Sequence, residues 1–112
     1  DAVGVSMDVV NYCTYQDFWD TKALIDRVVE PLAGRCFAVH LKDVSMEPRL
    51  VIHMNECPAG QGVMDYPYLL ARLDRIVRPD DWAIVEHTPI EELAKTFSFV
   101  KEIAAKVDVR FL

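Results

Sequence analysis

Three residues in this chain combine suitable chemistry with suggestive placement: Asp8, His40 and Glu86. Each stands at or near the end of a short, mostly apolar run, VGVSMDVV, CFAVHL and WAIVE. In parallel α/β folds, ligands bind beyond the carboxyl ends of the strands. One imidazole and two carboxylates there make a mixed nitrogen and oxygen ligand set, which suits a divalent cation such as Mn2+, Mg2+, Co2+ or Zn2+. Each residue also has an ordinary use. Asp8 can cap a loop or helix, His40 can be a satisfied core histidine, and Glu86 can pair with a lysine. Their shared position at three successive strand ends favours the joint reading.

The neighbours extend this candidate site. Asn11 follows Asp8 by three residues, and Lys42 and Asp43 follow His40 in HLKD. All three are candidate substrate-binding residues able to hydrogen-bond a hydroxylated ligand. Lys42 can also polarise a carbonyl or pair with a phosphate, or form a plain surface pair with Asp43. His53 and Glu56 lie in a long connection and suit loop-holding as well as substrate contact. His87 directly follows Glu86, so on a continuing strand it points the other way. In PAGQG, Gly60 and Gly62 give the backbone freedom for a tight turn. An anion at the following helix N-terminus is disfavoured by Asp65, the expected N-cap.

The elements that must position these groups alternate. Val3 to Val10 reads as a strand, and Leu24, Ile25, Val28, Val29 and Leu32 fall on one helical face. Pro31 weakens the last turn of that helix, and Gly34 stops it. Cys36 to Leu41 reads as a strand buried on both faces. The connection 42–64 includes a short strand-like run, LVIHM. Leu69, Leu70, Leu73, Ile76 and Val77 stripe a second helix, and Trp82 to Glu86 forms a third strand. Thr88-Pro89-Ile90-Glu91 predicts a capping box with proline at the first helical position. Leu93, Phe97, Val100 and Ala104 then stripe a third helix, and VDVRFL begins a further extended segment. This order predicts an α/β fold of three consecutive βα units with parallel strands and right-handed crossovers.

Bulk properties narrow the function. The 112 residues carry a net charge of −6, with 12 basic and 18 acidic side chains. That balance disfavours a nucleic-acid partner, whose affinity comes from a basic face. No run approaches the roughly 18 apolar residues of a membrane span, and no secretory leader is visible. Cys13, Cys36 and Cys57 are odd in number and lack CxxC spacing, which argues against disulfides and structural zinc and for a cytoplasmic location.

Taken together, GVSMDVVN, HLKD, ECPAGQGVMDYPYLLARL and WAIVEH resemble the sugar phosphate isomerase/epimerase family, within the xylose isomerase-like TIM barrel superfamily. The resemblance spans Val3 to about Val107. It implies that residues 1–112 are the incomplete C-terminal part of one (β/α)8 barrel domain, about strands 6 to 8, since a whole barrel takes roughly 250 residues. It implies one divalent metal held by Asp8, His40 and Glu86, with a fourth ligand, a Glu, on a strand preceding Val3. Asn11 takes the place of a substrate-contacting residue. The implied activity is that of a metal-dependent isomerase or epimerase of a sugar, sugar phosphate or polyol, acting through an enediolate with Glu86 as a catalytic proton carrier. The fragment alone is expected to be inactive, and an oligomer is expected to cover its open sheet edges. The same ligands also serve a dehydratase or other lyase, or a non-catalytic sugar-binding or interaction module. An apurinic endonuclease would need a richer ligand set than three histidines allow.

Overall fold

The computed structural model describes residues 3–111. Strands β1 (Val5–Met7), β2 (Cys36–Leu41) and β5 (Trp82–Val85) form one parallel sheet in the order β1-β2-β5. Strands β3 (Asp43–Glu47) and β4 (His53–Cys57) pair antiparallel in a separate sheet. Helices α1 (Thr21–Leu32), α2 (Tyr66–Leu73) and α3 (Leu93–Lys106) complete the fold.

This corrects the expected fold class. The chain does not form three consecutive βα units of a TIM barrel. Strand β2 is followed by a hairpin with a sheet of its own, and the parallel sheet is open, with β1 and β5 as its two edges. The reason lies in residues 43–57. DVSME and HMNEC are both short extended runs, and they pair in register from Asp43↔Cys57 to Glu47↔His53. The apolar half of the LVIHM run does not pair. Leu50, Val51 and Ile52 fall in the exposed connection between β3 and β4.

Other boundaries also differ. The first strand is only Val5–Met7, and Val10–Tyr12 turns into a 3-10 helix. Pro31 lies inside α1, and Gly34 adopts a φ of +79° just beyond it, the left-handed geometry that favours glycine. Asp65 caps α2 by accepting from the Tyr68 N–H at 3.0 Å. The expected capping box at Thr88 does not form. Residues Ile90–Glu92 make a 3-10 turn before α3, and the Thr88 hydroxyl donates to the Glu86 carbonyl at 3.1 Å. Residues 107–111 continue as turn and coil, and Leu112 lies outside the described residues.

The core joins the helices to one face of the parallel sheet. Leu24, Ile25, Val28 and Val29 of α1, Leu69, Leu70 and Leu73 of α2, and Val100 and Ala104 of α3 pack with Met7, Val39 and Leu41. Strand alternation sends the intervening residues to the opposite face. The register aligns Ser6 and Trp82 with Ala38, and Ile84 with His40, so these residues share that second face. Trp82 and Ile84 are exposed on it.

The loop between β1 and α1 is tied down by one ion pair. Arg27 donates from Nη1 to Asp17 Oδ1 at 2.7 Å and from Nη2 to Asp17 Oδ2 at 2.9 Å, and it reaches the Tyr12 carbonyl at 3.3 Å. The Thr14 N–H and hydroxyl also donate to Asp17. Arg27 foremost, helped by Thr14, holds the Asp17 carboxyl well below the usual carboxylate range against the opposing effect of burial. A depressed folded pKa gives stability that is present above the unfolded value, near pH 4, and lost as pH falls. Arg27→Ala is therefore expected to lower the urea midpoint at pH 7 and to flatten its fall between about pH 5 and pH 2. An unchanged acid limb would show that the pair does not anchor this loop.

Candidate metal centre

Asp8 lies one residue beyond β1, His40 is the fifth residue of β2, and Glu86 lies one residue beyond β5. Glu86 extends the sheet by one more rung, its N–H donating to the Leu41 carbonyl at 3.2 Å. The three neighbouring strands therefore deliver three side chains to one place. His40 Nδ1 lies 3.2 Å from Glu86 Oε1 and 3.8 Å from Asp8 Oδ2. One ligand atom from each residue falls within 4.8 Å of the others. Metal–ligand bonds of about 2.0–2.2 Å imply ligand-to-ligand edges of about 3–3.5 Å. Asp8, His40 and Glu86 thus form a group able to hold a metal ion with small side-chain adjustments.

His40 is oriented from behind. Its Nε2 lies 3.1 Å from Ser6 Oγ on the adjacent strand. A histidine that offers Nδ1 to a metal carries its proton on Nε2, and Ser6 is placed to accept it. Asp8 is itself fixed through Oδ1, which accepts from the Asn11 N–H at 3.3 Å.

Lys42 shares the cluster. Its side chain is 2% exposed, and its Nζ lies 2.8 Å from Asp8 Oδ2 and 3.0 Å from Glu86 Oε2. It also contacts Glu56 Oε1 and donates to Asn11 Oδ1 at 2.9 Å. Burial alone would lower the ammonium's pKa, but Asp8, Glu56 and Glu86 outweigh it and hold Lys42 above the ordinary lysine range. Burial likewise pushes the Glu86 carboxyl up, and Lys42 with His40 more than offsets this, so Glu86 sits below its ordinary range. Although Lys42 is close, Asp8 Oδ2 and Glu86 Oε2 receive no well-directed hydrogen bond among the described residues. Counting the ion-paired carboxylates and the ammonium alone, three against one leave a net charge of −2. Two under-used buried oxygens and that charge fit a divalent cation.

The structure separates the three candidate substrate-binding residues. Asn11 and Lys42 lie in the cluster. Asp43 faces the other way and is 1% exposed. Its Oδ1 accepts from the Val44 N–H at 2.8 Å and the Met64 N–H at 2.9 Å, and its Oδ2 from the Gly60 N–H at 3.1 Å. Asp43 therefore organises the 58–64 loop. Gly60 has a φ of +84° there. A side chain at Gly62 would collide with the Val44 carbonyl and the Asp43 carboxylate. The PAGQG segment is thus packed against a buried carboxylate and is not an open phosphate cradle.

Two further residues reach the cluster. Glu56, paired with Val44 in the hairpin, contacts Lys42, and its Oε2 lies 3.1 Å from His87 Nε2. His87 does not point away from the site as a continuing strand requires. Its φ of +49° lies in the left-handed region, which breaks the alternation and turns the ring toward Glu56. Glu56 had been weighed for loop-holding or substrate contact, and it is the hairpin register, not legible in the sequence, that brings it to the cluster. Ser6 was signalled by its place two residues before Asp8. No sequence rule points to a left-handed histidine. His53 pairs with Glu47 at the far end of the hairpin. Cys13 bonds the Thr14 carbonyl, and burial raises its thiol's pKa first of all, so it is a protonated packing residue. All three cysteines are free.

No family model, curated protein or solved structure matches this chain. What the fold and site define is a small α/β chain with a candidate divalent-metal group where its three parallel strands end. No helix among the described residues is long and apolar enough to cross a membrane.

Proposed function

We propose that this chain carries the metal centre of an isomerase or epimerase acting on a hydroxy-ketone such as a ketose sugar. The observation behind the reading is the meeting of Asp8, His40 and Glu86 at adjacent strand ends, with two buried oxygens short of directed partners. A divalent ion such as Mn2+ held there supplies Lewis acidity toward a substrate carbonyl. Asp8 and His40 serve as ligands, and Ser6 sets the tautomer of His40. Glu86, ionised at neutral pH, takes the proton from the carbon next to the carbonyl. Lys42 offsets the carboxylate charge and holds Asp8, Glu56 and Glu86 together, its ammonium fully engaged by them and by Asn11.

A second reading is favoured by the position of Lys42, whose ammonium already serves two of the ligand oxygens. The cluster would then be a metal-free binding module for hydroxylated ligands. Equilibrium Mn2+ binding followed by paramagnetic resonance separates the two. The full chain is expected to bind Mn2+ and to lose it by at least about tenfold in affinity in Asp8→Ala with His40→Ala. Turnover by the chain alone is not expected, but with Mn2+ and D-fructose in D2O the half-reaction that needs one base, exchange of the proton beside the carbonyl for deuterium, is expected to occur, and Glu86→Gln is expected to stop it. Absence of Mn2+ binding, or exchange indifferent to Glu86, overturns the isomerase reading.

A further inference from the structure

The polar half of the cluster carries an inference about which substrates the centre accepts, and it rests on the metal-centre reading above. We infer that Glu56, seated between Lys42 and His87, makes this a site for uncharged polyhydroxylated ketones and excludes their phosphate esters.

The argument begins with charge. Lys42 is the cation in ion-pair contact with the cluster, and its ammonium is already shared among Asp8, Glu56 and Glu86. A divalent ion would bring the group to neutrality with nothing positive left over. A phosphate entering beside Glu56 would add two negative charges against a carboxylate that no spare cation offsets.

The second step is hydrogen-bonding capacity. The Glu56 side chain is 38% exposed, and each of its oxygens has one ion-pair partner, Oε1 with Lys42 and Oε2 with His87. Each carboxylate oxygen has a second lone pair. Those lone pairs accept from a hydroxyl proton, which a polyol offers and a phosphate dianion does not. Asn11, whose Oδ1 is already taken by Lys42, keeps its amide N–H groups to donate to a hydroxyl oxygen.

The third step is placement. Glu56 comes from the hairpin, whereas Asp8, His40 and Glu86 come from the parallel sheet. Among the described residues, Lys42 is the ion-pair partner that Glu56 shares with Asp8 and Glu86. Glu56 therefore lies where the more distant hydroxyls of a substrate would fall once its carbonyl faces Asp8 and His40. The left-handed backbone at His87 brings a second side chain to that same edge. Asp8 shows that the cluster Glu56 joins through Lys42 is built to take a ligand: its side chain is 7% exposed, and its Oδ2, 2.8 Å from Lys42 Nζ, has no directed hydrogen bond among the described residues.

The test is calorimetric, on the full chain loaded with Mn2+, using D-fructose and D-fructose 6-phosphate as probes. Wild type is expected to bind the free ketose at least about tenfold more tightly than the ester. Glu56→Gln keeps the shape and removes the charge. It is expected to bring the two affinities to within about threefold of each other, with Mn2+ affinity changing much less, because Glu56 is not one of the ligands. Glu56→Ala is expected to weaken the ketose as well. Equal or tighter binding of the ester by wild type overturns the inference, and so does a ratio unmoved by Glu56→Gln. In both cases intact Mn2+ binding leaves the metal centre standing. Absence of Mn2+ binding to wild type overturns the metal centre, and this inference falls with it.

Discussion

Replacing Lys42 with methionine is expected to cost the metal-free chain about 3–5 kcal/mol of stability. The substitution keeps much of the aliphatic stem and removes the ammonium. Three carboxylates then face one another, and Asp8, whose side chain is 7% exposed, is left buried without its counter-ion. Breaking a buried pair from one side costs more than the pair is worth, because the remaining charge cannot regain water. A domain with about 5–15 kcal/mol in hand would become marginal. In wild type the Lys42 contribution is present below the ordinary lysine value and fades only as pH rises through its elevated folded value. The Glu86 contribution is present above the ordinary carboxylate value and fades as pH falls through its depressed one. The contributions of Lys42 and Glu86 are therefore level from about pH 5 to pH 10. Mn2+ should raise the urea midpoint of Lys42→Met more than that of wild type, because the ion replaces the missing charge at the same oxygens. An unchanged metal-free midpoint would sink the idea that Lys42 holds the cluster together. Equal Mn2+ stabilisation of both proteins would show that ammonium and metal do not compete.

The second large effect is at Asp43. Its carboxylate is the shared acceptor for the N–H groups of Val44, Gly60 and Met64, joining the start of the hairpin to the loop that leads into α2. Asp43→Ala strands three donors at a site that is 1% exposed, with a cost of about 3–5 kcal/mol. Asp43→Asn should cost about half as much. An amide oxygen in the Oδ1 position still accepts from Val44 and Met64, and only Gly60 then meets an opposing N–H. Urea titration measures the two costs, and amide hydrogen exchange at Gly60 and Met64 locates them. Equal costs for the two variants would mean that the carboxylate's charge, and not its count of acceptors, holds the loop.

The sequence made some of this legible and hid the rest. Strand β2 was readable to its ends, because CFAVHL is apolar between a helix stop at Gly34 and the polar pair Lys42-Asp43. The buried stripe of α1 followed from 3.6-residue spacing, and the Asp65 cap from side-chain chemistry. The hairpin was hidden because DVSME and HMNEC have little hydrophobic contrast, while the conspicuous apolar residues Leu50, Val51 and Ile52 lie in its exposed turn. The expectation of consecutive βα units failed at that point. Within the site, strand-end position located Asp8, His40 and Glu86. The direction of Asp43 was not readable, since HLKD offers Lys42 and Asp43 to opposite sides and nothing local says which side holds the loop. His87 was expected to point away only if the strand continued; the strand ends at Val85, and at a φ of +49° the alternation has stopped.

Strand β5 has four residues, lies at an edge of the sheet, and leaves Trp82, Ala83 and Ile84 exposed. Those features are the ones that make a segment open locally more readily than the core. Glu86 sits at its tip and binds it to β1 and β2 through shared partners. An ion gripped by Asp8, His40 and Glu86 would act as a rivet through all three strands. It would lengthen the time β5 stays shut, and so protect the fold from proteases and from fraying on the clock of opening and closing.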